Sequence, residues 1–254
     1  MKTINVAING FGRIGRAFFR EAHKVEGINI VAINDLGPAD NLAYLLKYDS
    51  VYRTAPFSVE AKDGALVIDG KPVKFLSEKE PTALPWKDLA VDVVIESTGV
   101  FNDFEKAKVH ITAGAKRVVI SAPAKGDGAT VLMGLNEDML KTCEVSSNAS
   151  CTTNSASPLI TILDATVGID SALLNTVHAY TASQLIVDGI SKKDWRGGRA
   201  GAANIIPSST GAAVAVTKAY KPLEGKFDGI SLRVPVPVGS CADITFIAKR
   251  DTSA

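Results

Sequence analysis

Residues 147 to 154 read Ser-Asn-Ala-Ser-Cys-Thr-Thr-Asn, a thiol set among short hydroxyl and amide side chains. The apolar-periodic run 157–165 predicts a helix, which puts Cys151 at its entrance. Backbone N–H groups in a first helical turn lack intrahelical partners, and with the macrodipole they favour an anion there. Such a site lowers the cost of a thiolate. A free thiol of pKa about 8.5 is only ~3% ionised at pH 7, and complete ionisation gains about 30-fold, or ~2 kcal/mol of barrier. The thiol alone therefore does not make an enzyme, and further groups are required.

A second constellation stands near the amino terminus. Gly10-Phe11-Gly12-Arg13-Ile14-Gly15 follows a β-branched run, Thr3 to Asn9, and opens a helical pattern from Arg13 to His23; Asp35 lies 20 residues past Gly15, at the end of a second strand, Ile28 to Asn34. Alone, the glycine spacing is a weak signal. In a strand–turn–helix–strand context it reads as a Rossmann dinucleotide site: the glycines permit the tight turn and close approach of a pyrophosphate, and the acid accepts from a ribose hydroxyl. The bland alternative is a glycine-bearing βα turn that binds nothing. An acid at Asp35 also repels a 2′-phosphate and so argues for NAD over NADP, and Arg13 is placed nearer the pyrophosphate than the ribose.

Composition agrees with a small-molecule enzyme. The 254 residues are 46% apolar and 22% charged with a net charge of +1, enough for two modest domains or one large one and without the basic cluster that nucleic acid or an anionic membrane would demand. The amino terminus lacks a signal core and no apolar run reaches membrane-spanning length, so a cytoplasmic protein is expected. Cys143, Cys151 and Cys241 match neither a zinc spacing nor a disulfide framework, and no metal is expected. Cys143 and Cys241 read as small buried hydrophobes.

The elements that must carry these residues follow from periodicity. After the first βαβ unit, residues 57–76 alternate in short runs broken at Asp63-Gly64 and Asp69-Gly70, which predicts antiparallel hairpins. Strands are predicted at Val91 to Glu96, Arg117 to Ser121 and Val131 to Gly134, with a helix from Asp103 to Ala113. Beyond Cys151 come a helix, a strand near Leu173 to Tyr180, a glycine- and arginine-bearing loop from Ser183 to Ala203, a helix near Gly211 to Ala219, and strands at Ile230 to Val236 and Ala242 to Lys249. The order predicts an α/β fold: a Rossmann doubly wound parallel sheet over residues 1–150 and an α+β catalytic domain over residues 151–254.

The ordered motifs, NGFGRIGR from Asn9, Asn34-Asp35-Leu36, Tyr48-Asp49-Ser50-Val51, ESTGVF from Glu96, Ser121-Ala122-Pro123-Ala124, SNASCTTN, His178-Ala179-Tyr180-Thr181, NIIPSSTGA from Asn204 and Leu232-Arg233-Val234-Pro235, together resemble the phosphorylating glyceraldehyde-3-phosphate dehydrogenases across essentially the whole chain. The resemblance implies that His178 pairs with the Cys151 thiolate and moves protons, a buried strand histidine bonded to backbone being the plain alternative. His23 and His110 fall on predicted helices of the first domain and read as structural or solvent-facing. It implies a hemithioacetal and then a thioester on Cys151, cleaved by inorganic phosphate, with a phosphorylated aldehyde as substrate and a homotetrameric assembly. Two anion pockets are implied, Ser150, Thr152, Thr210 and Gly211 for one and Thr181 and Arg233 for the other, with Arg196 a further candidate in a variable loop. Thr152 and Thr210 equally suit helix capping. Lys79 and Thr98 match adenine-side contacts, with a solvated surface lysine the plain alternative for Lys79, and Ser121 matches a contact near the nicotinamide half.

Two departures from the family pattern stand out. Ser155 occupies a position where many relatives carry a second cysteine, which removes local disulfide protection of Cys151. The chain also ends where the family continues with further strands, a helix and an asparagine that holds the nicotinamide amide, so a carboxyl-terminally truncated chain of poor activity or stability is expected. Competing expectations are erythrose-4-phosphate dehydrogenase, on a similar scaffold, and a truncated, inactive NAD-binding fragment.

Overall fold

The computed structural model describes residues 3–191 and 194–253, and the chain divides into two compact units, Met1–Val131 with Asp138–Asn148, and Leu132–Glu137 with Ala149–Ala254. In the first unit the chain runs β1 (Ile4–Asn9), α1 (Arg13–Ala22), β2 (Ile28–Asn34), α2 (Ala39–Lys47), β3 (Tyr48–Asp49), β4 (Arg53–Thr54), β5 (Val59–Lys62), β6 (Ala65–Ile68) and β7 (Lys71–Leu76). It continues with β8 (Val93–Glu96), α3 (Phe104–Ala107), α4 (Val109–Thr112), β9 (Arg117–Ile120), β10 (Ala129–Thr130) and β11 (Val145–Ser147).

One nine-stranded sheet of order β10-β11-β9-β8-β1-β2-β7-β6-β5 results. β1 pairs in parallel with β2 on one side and β8 on the other, so strand order reverses at β1 and a crevice opens beyond the carboxyl ends of these strands. The hairpins predicted over residues 57–76 are β5-β6-β7, antiparallel as expected. Their turns carry positive φ at both central residues, +50° and +74° at Asp63 and Gly64, +47° and +78° at Asp69 and Gly70, the combination that matches strand twist in a two-residue hairpin. Apolar side chains fill both faces of the sheet: Phe11, Phe19, Ile33 and Leu46 in one cluster, Trp86, Val94, Phe104 and Ile120 in the other.

Several expectations are corrected. The helix expected from Asp103 to Ala113 is two single turns, α3 and α4, separated at Lys108, whose N–H bonds the Glu105 carbonyl three residues back at 3.2 Å, tighter than an α-helical turn. The strand expected at Val131 to Gly134 falls instead at Ala129–Thr130, and the chain turns at Gly134, where φ is +79°. α2 adds to the predicted elements, its buried Leu42, Ala43 and Leu46 recurring at helical spacing, while β11 and a strand at Ile206–Ser209 are too short to show a period.

The second unit runs α5 (Cys151–Thr166), β12 (Ile169–Ala179), β13 (Ile206–Ser209), α6 (Ala212–Ala219), β14 (Phe227–Val234) and β15 (Ser240–Ala248). Its sheet has the order β13-β14-β12-β15, with β12 parallel to β14 and antiparallel to β15. α5 and α6 cover one face through Ala156, Ile160, Ala213 and Val216 over Leu174 and Phe227. Leu173, Ile230 and Ile247 on strands β12, β14 and β15 are exposed. Pro158 lies inside α5 and removes one backbone donor; Ser157 and Thr161 hydroxyls bond carbonyls one turn earlier, at 2.6 and 3.0 Å, beside that gap.

Asp164 closes the far end of α5. It accepts from the Ile169 N–H at 2.8 Å and from the Tyr220 hydroxyl at 2.7 Å. The Ile169 N–H first, and then the Tyr220 hydroxyl, hold its carboxyl below the usual aspartate range against a smaller burial effect, with Lys249 and Lys226 assisting. A depressed carboxylate contributes stability that is present at neutral pH and lost as pH falls through its folded-state value. Asp164→Ala is expected to cost about 1 kcal/mol at neutral pH after allowing for partial exposure. The difference from the unsubstituted chain should shrink in acid, as followed by urea unfolding; an equal difference at both pH values would refute this role.

Candidate active site

The thiol sits where the sequence placed it. Cys151 is the first residue of α5, and Ser150 is the N-cap, its hydroxyl accepting from the Thr153 N–H at 3.1 Å. The turn into the helix passes through Ala149, buried, with φ +54°. That left-handed conformation is costly for alanine and orients the following residues. Cys151 is exposed, and its Sγ lies 3.2 Å from His178 Nε2 on β12.

His178 is in turn held from behind. Its Nδ1 is 2.7 Å from the Ala179 carbonyl oxygen and 2.7 Å from Arg233 Nη1. Parallel pairing of β12 with β14 sets His178 opposite Arg233, so the register delivers the contact. A guanidinium only donates and a carbonyl only accepts. With Nδ1 protonated the ring donates to Ala179 and Nε2 faces the thiol as a base. With Nδ1 bare it accepts from Arg233, and Nε2–H points at sulfur. The surroundings thus serve both directions of proton movement. Burial pulls the Arg233 guanidinium below its usual value, and neighbouring Cys151 opposes that effect.

The anion-binding candidates divide. Ser150 and Thr152 lie at the start of α5, Thr210 and Gly211 at the start of α6, and these helices pack together. Capping falls to Ser150 and to Thr210, whose hydroxyl accepts from the Ala212 N–H at 3.1 Å; Thr152 is buried in the first turn and does not cap. The Arg233 Nε is buried with no partner among the described residues. Thr181 is exposed and engaged locally with Ser183 at 2.8 Å. Arg196, also exposed, forks onto Asp194 at 2.8 and 3.1 Å, in a single 3₁₀ turn at Trp195–Gly198, so its charge is committed within its own loop.

In the first unit a cleft of about 610 Å³ opens at the sheet's switch point, lined by Gly10, Gly12, Asp35, Lys79 and Thr98 among others. At Gly10, φ +91°, an added Cβ would lie 2.5 Å from Thr98 N, and at Gly15 it would lie 2.2 Å from the Gly10 carbonyl oxygen. These two glycines are required by the backbone's own packing. Gly12 differs: a Cβ there meets nothing within 4 Å, and as N-cap of α1 it supplies no side-chain cap. Open N–H groups facing a cleft fit a pyrophosphate. Asp35 accepts from the Phe11 and Gly37 N–H groups at 2.6 and 2.8 Å, which fixes the carboxylate at the rim with acceptor capacity left for ribose hydroxyls. A dinucleotide therefore fits the residues present.

Arg13 is drawn away from that turn into an ion pair with Asp49. Burial alone would raise the Asp49 carboxyl, but the Tyr52 and Val51 N–H groups and Arg13 together hold it below the usual range. Ile14 is exposed, and Ser121 donates to the Glu96 carbonyl at 3.0 Å. Cys143 and Cys241 are not buried as expected: Cys143 is half-buried, and Cys241 is exposed because β15 is an edge strand. His23 stacks on Phe19 at the end of α1 and faces Asp69 at 3.8 Å, while His110 is fully buried. Among the described residues no group of His, Cys, Asp and Glu gathers as a metal would require, and no helix is long and apolar enough to cross a membrane.

A doubly wound sheet with a glycine turn and an acid at its switch point, joined in one chain to a separate sheet unit, defines a Rossmann-type NAD-dependent oxidoreductase. Residues 4–104 match the NAD binding domain of glyceraldehyde 3-phosphate dehydrogenase and residues 150–254 its C-terminal domain. The chain is 51% identical over 243 residues to glyceraldehyde-3-phosphate dehydrogenase A of Escherichia coli K12, covering 96% of this chain and 73% of that protein. It is 50% identical over 257 residues to glyceraldehyde-3-phosphate dehydrogenase 1 of Trichormus variabilis, covering 100% and 75%. The chain belongs to the glyceraldehyde-3-phosphate dehydrogenase family.

Proposed function

We propose that the protein oxidises D-glyceraldehyde 3-phosphate with NAD and inorganic phosphate to 1,3-bisphosphoglycerate, residues 1–150 binding the cofactor and residues 151–254 carrying the chemistry. The Cys151–His178 contact of 3.2 Å at a helix start is the observation that carries the reading.

His178 Nε2 takes the thiol proton, and the Cys151 sulfur adds to the aldehyde carbon. The oxygen of the resulting hemithioacetal is held by the Cys151 N–H at the start of α5 and by His178, now protonated at Nε2. Bound NAD supplies the hydride acceptor. His178 gives its Nε2 proton to the hemithioacetal oxygen and takes it back as the hydride leaves, so a thioester remains on Cys151. Phosphate attacks its carbonyl carbon, the C–S bond breaks, and the acyl phosphate departs from the Cys151 thiolate. Arg233 and Thr181 form one anion pocket, and Ser150, Thr152, Thr210 and Gly211 form the other, built from helix-start donors and hydroxyls. Arg196 joins them only by releasing Asp194. Gly10, Gly12, Ile14, Gly15 and Asp35 shape the cofactor turn, Lys79 and Thr98 flank the adenine, Ser121 lies towards the nicotinamide half, and Arg13 acts through Asp49. The protein works in the cytoplasm as a homotetramer.

NADH formation from glyceraldehyde 3-phosphate should depend on added phosphate, and erythrose 4-phosphate should turn over at least about tenfold more slowly. Phosphate-independent turnover, or a preference for the four-carbon aldehyde, would refute the reading.

A further inference from the structure

Beneath the cofactor cleft runs a buried polar chain that the chemistry above does not use. Glu96, at the end of β8, is fully buried, as is His110. One carboxylate oxygen of Glu96 accepts from the Thr98 N–H at 2.8 Å and from the Thr98 hydroxyl. The other accepts from Asn9 Nδ2 at 2.6 Å and faces His110 Nε2 at 3.1 Å. Asn9 Oδ1 accepts from Asn34 Nδ2 at 2.7 Å, and Asn34 bonds both backbone groups of Glu78, donating to its oxygen at 2.9 Å and accepting from its N–H at 2.8 Å.

The direction of every bond in this chain is fixed from its ends. Trp86 Nε1, which only donates, reaches His110 Nδ1 at 3.1 Å, so Nδ1 accepts and Nε2 carries the proton towards Glu96. At the other end the Glu78 backbone pins the Asn34 amide, and Asn34 pins Asn9. Four donors therefore converge on Glu96, the full acceptor capacity of a carboxylate. Thr98, Asn9, Asn34 and Glu78 all line the cleft, and Thr98 N is the atom a Cβ at Gly10 would strike.

We propose that Glu96 is the positioning residue of the dinucleotide cleft, setting Thr98 against the Gly10 turn and, through Asn9 and Asn34, the Glu78 segment opposite. This rests on the cleft's assignment to NAD. Glu96→Gln keeps the shape but turns one acceptor into a donor, and only the Thr98 hydroxyl can reverse to meet it: the Thr98 N–H on the same oxygen cannot, and on the other oxygen Asn9 is pinned by Asn34 and His110 by Trp86. The cleft walls must then shift. The complementary change Asn9→Asp restores the pattern, because an aspartate at position 9 accepts from glutamine at 96, from Asn34 and from His110 Nε2, which lies 3.4 Å from the Asn9 amide nitrogen.

NAD affinity is measured by titration calorimetry well below each variant's melting temperature, with the rate of Cys151 alkylation as a check on the other unit. Glu96→Gln is expected to bind NAD at least about tenfold more weakly, and the double variant to recover most of that loss. Affinity unchanged in Glu96→Gln overturns the proposal, as does a double variant no better than the single one in binding or, should Glu96→Gln not fold, in folding. An unsubstituted chain that binds no NAD would instead overturn the cofactor reading itself.

Discussion

Replacing Cys151 with alanine is expected to reduce turnover at least about 10⁴-fold, ~5.4 kcal/mol of barrier, with NAD affinity unchanged. The size follows from the role proposed for sulfur: without it no hemithioacetal would form, and the hydride would have to leave an aldehyde hydrate that nothing in the unit holds covalently. The donors at the start of α5 and the imidazole of His178 remain, and supply only weak residual polarisation. Rates of NADH formation in both chains at saturating substrate measure the effect. A variant within tenfold of the unsubstituted chain would show that the thiol is not the nucleophile.

Substituting His178 by asparagine should reduce turnover roughly 10² to 10⁴-fold, the range for loss of a positioned acid–base. Cys151 and Cys241 are both exposed, so Cys241 serves as an internal reference for thiol reactivity. In the unsubstituted chain iodoacetate should modify Cys151 faster than Cys241, owing to the helix start and the imidazole at 3.2 Å. In His178→Asn that advantage should narrow to what α5 alone gives, about tenfold or less. Equal labelling of the two cysteines in the unsubstituted chain would defeat the activated-thiol argument before any variant is made.

Much of this was legible because it is local. The β1–turn–α1–β2 order, the hairpins at Asp63-Gly64 and Asp69-Gly70, and a helix beginning at Cys151 all depend on residues a few positions apart, whose φ preferences and periodicity are written in sequence. The misses share the opposite character. Arg13 turning to Asp49, Arg196 folding onto Asp194, and Cys241 lying on an edge strand depend on rotamers and strand neighbours that composition does not report. Glu96 could have been noticed as an acid ending an apolar run, yet its four donors come from Asn9, Thr98 and His110, which only the sheet brings together.

By itself the sequence determined which chemistries were available: a thiol at a helix start, a glycine turn that admits a phosphate, an acid at the end of the second strand. Tertiary structure decided which groups meet. His178 reaches Cys151 across 27 positions because β12 lies in the sheet beneath α5, and Arg233 reaches His178 because β14 pairs with β12 in the register that sets the two opposite. The physical reason is range: backbone preference acts over a few residues, whereas a proton moves only across a contact of about 3 Å, and contacts of that kind are made by packing.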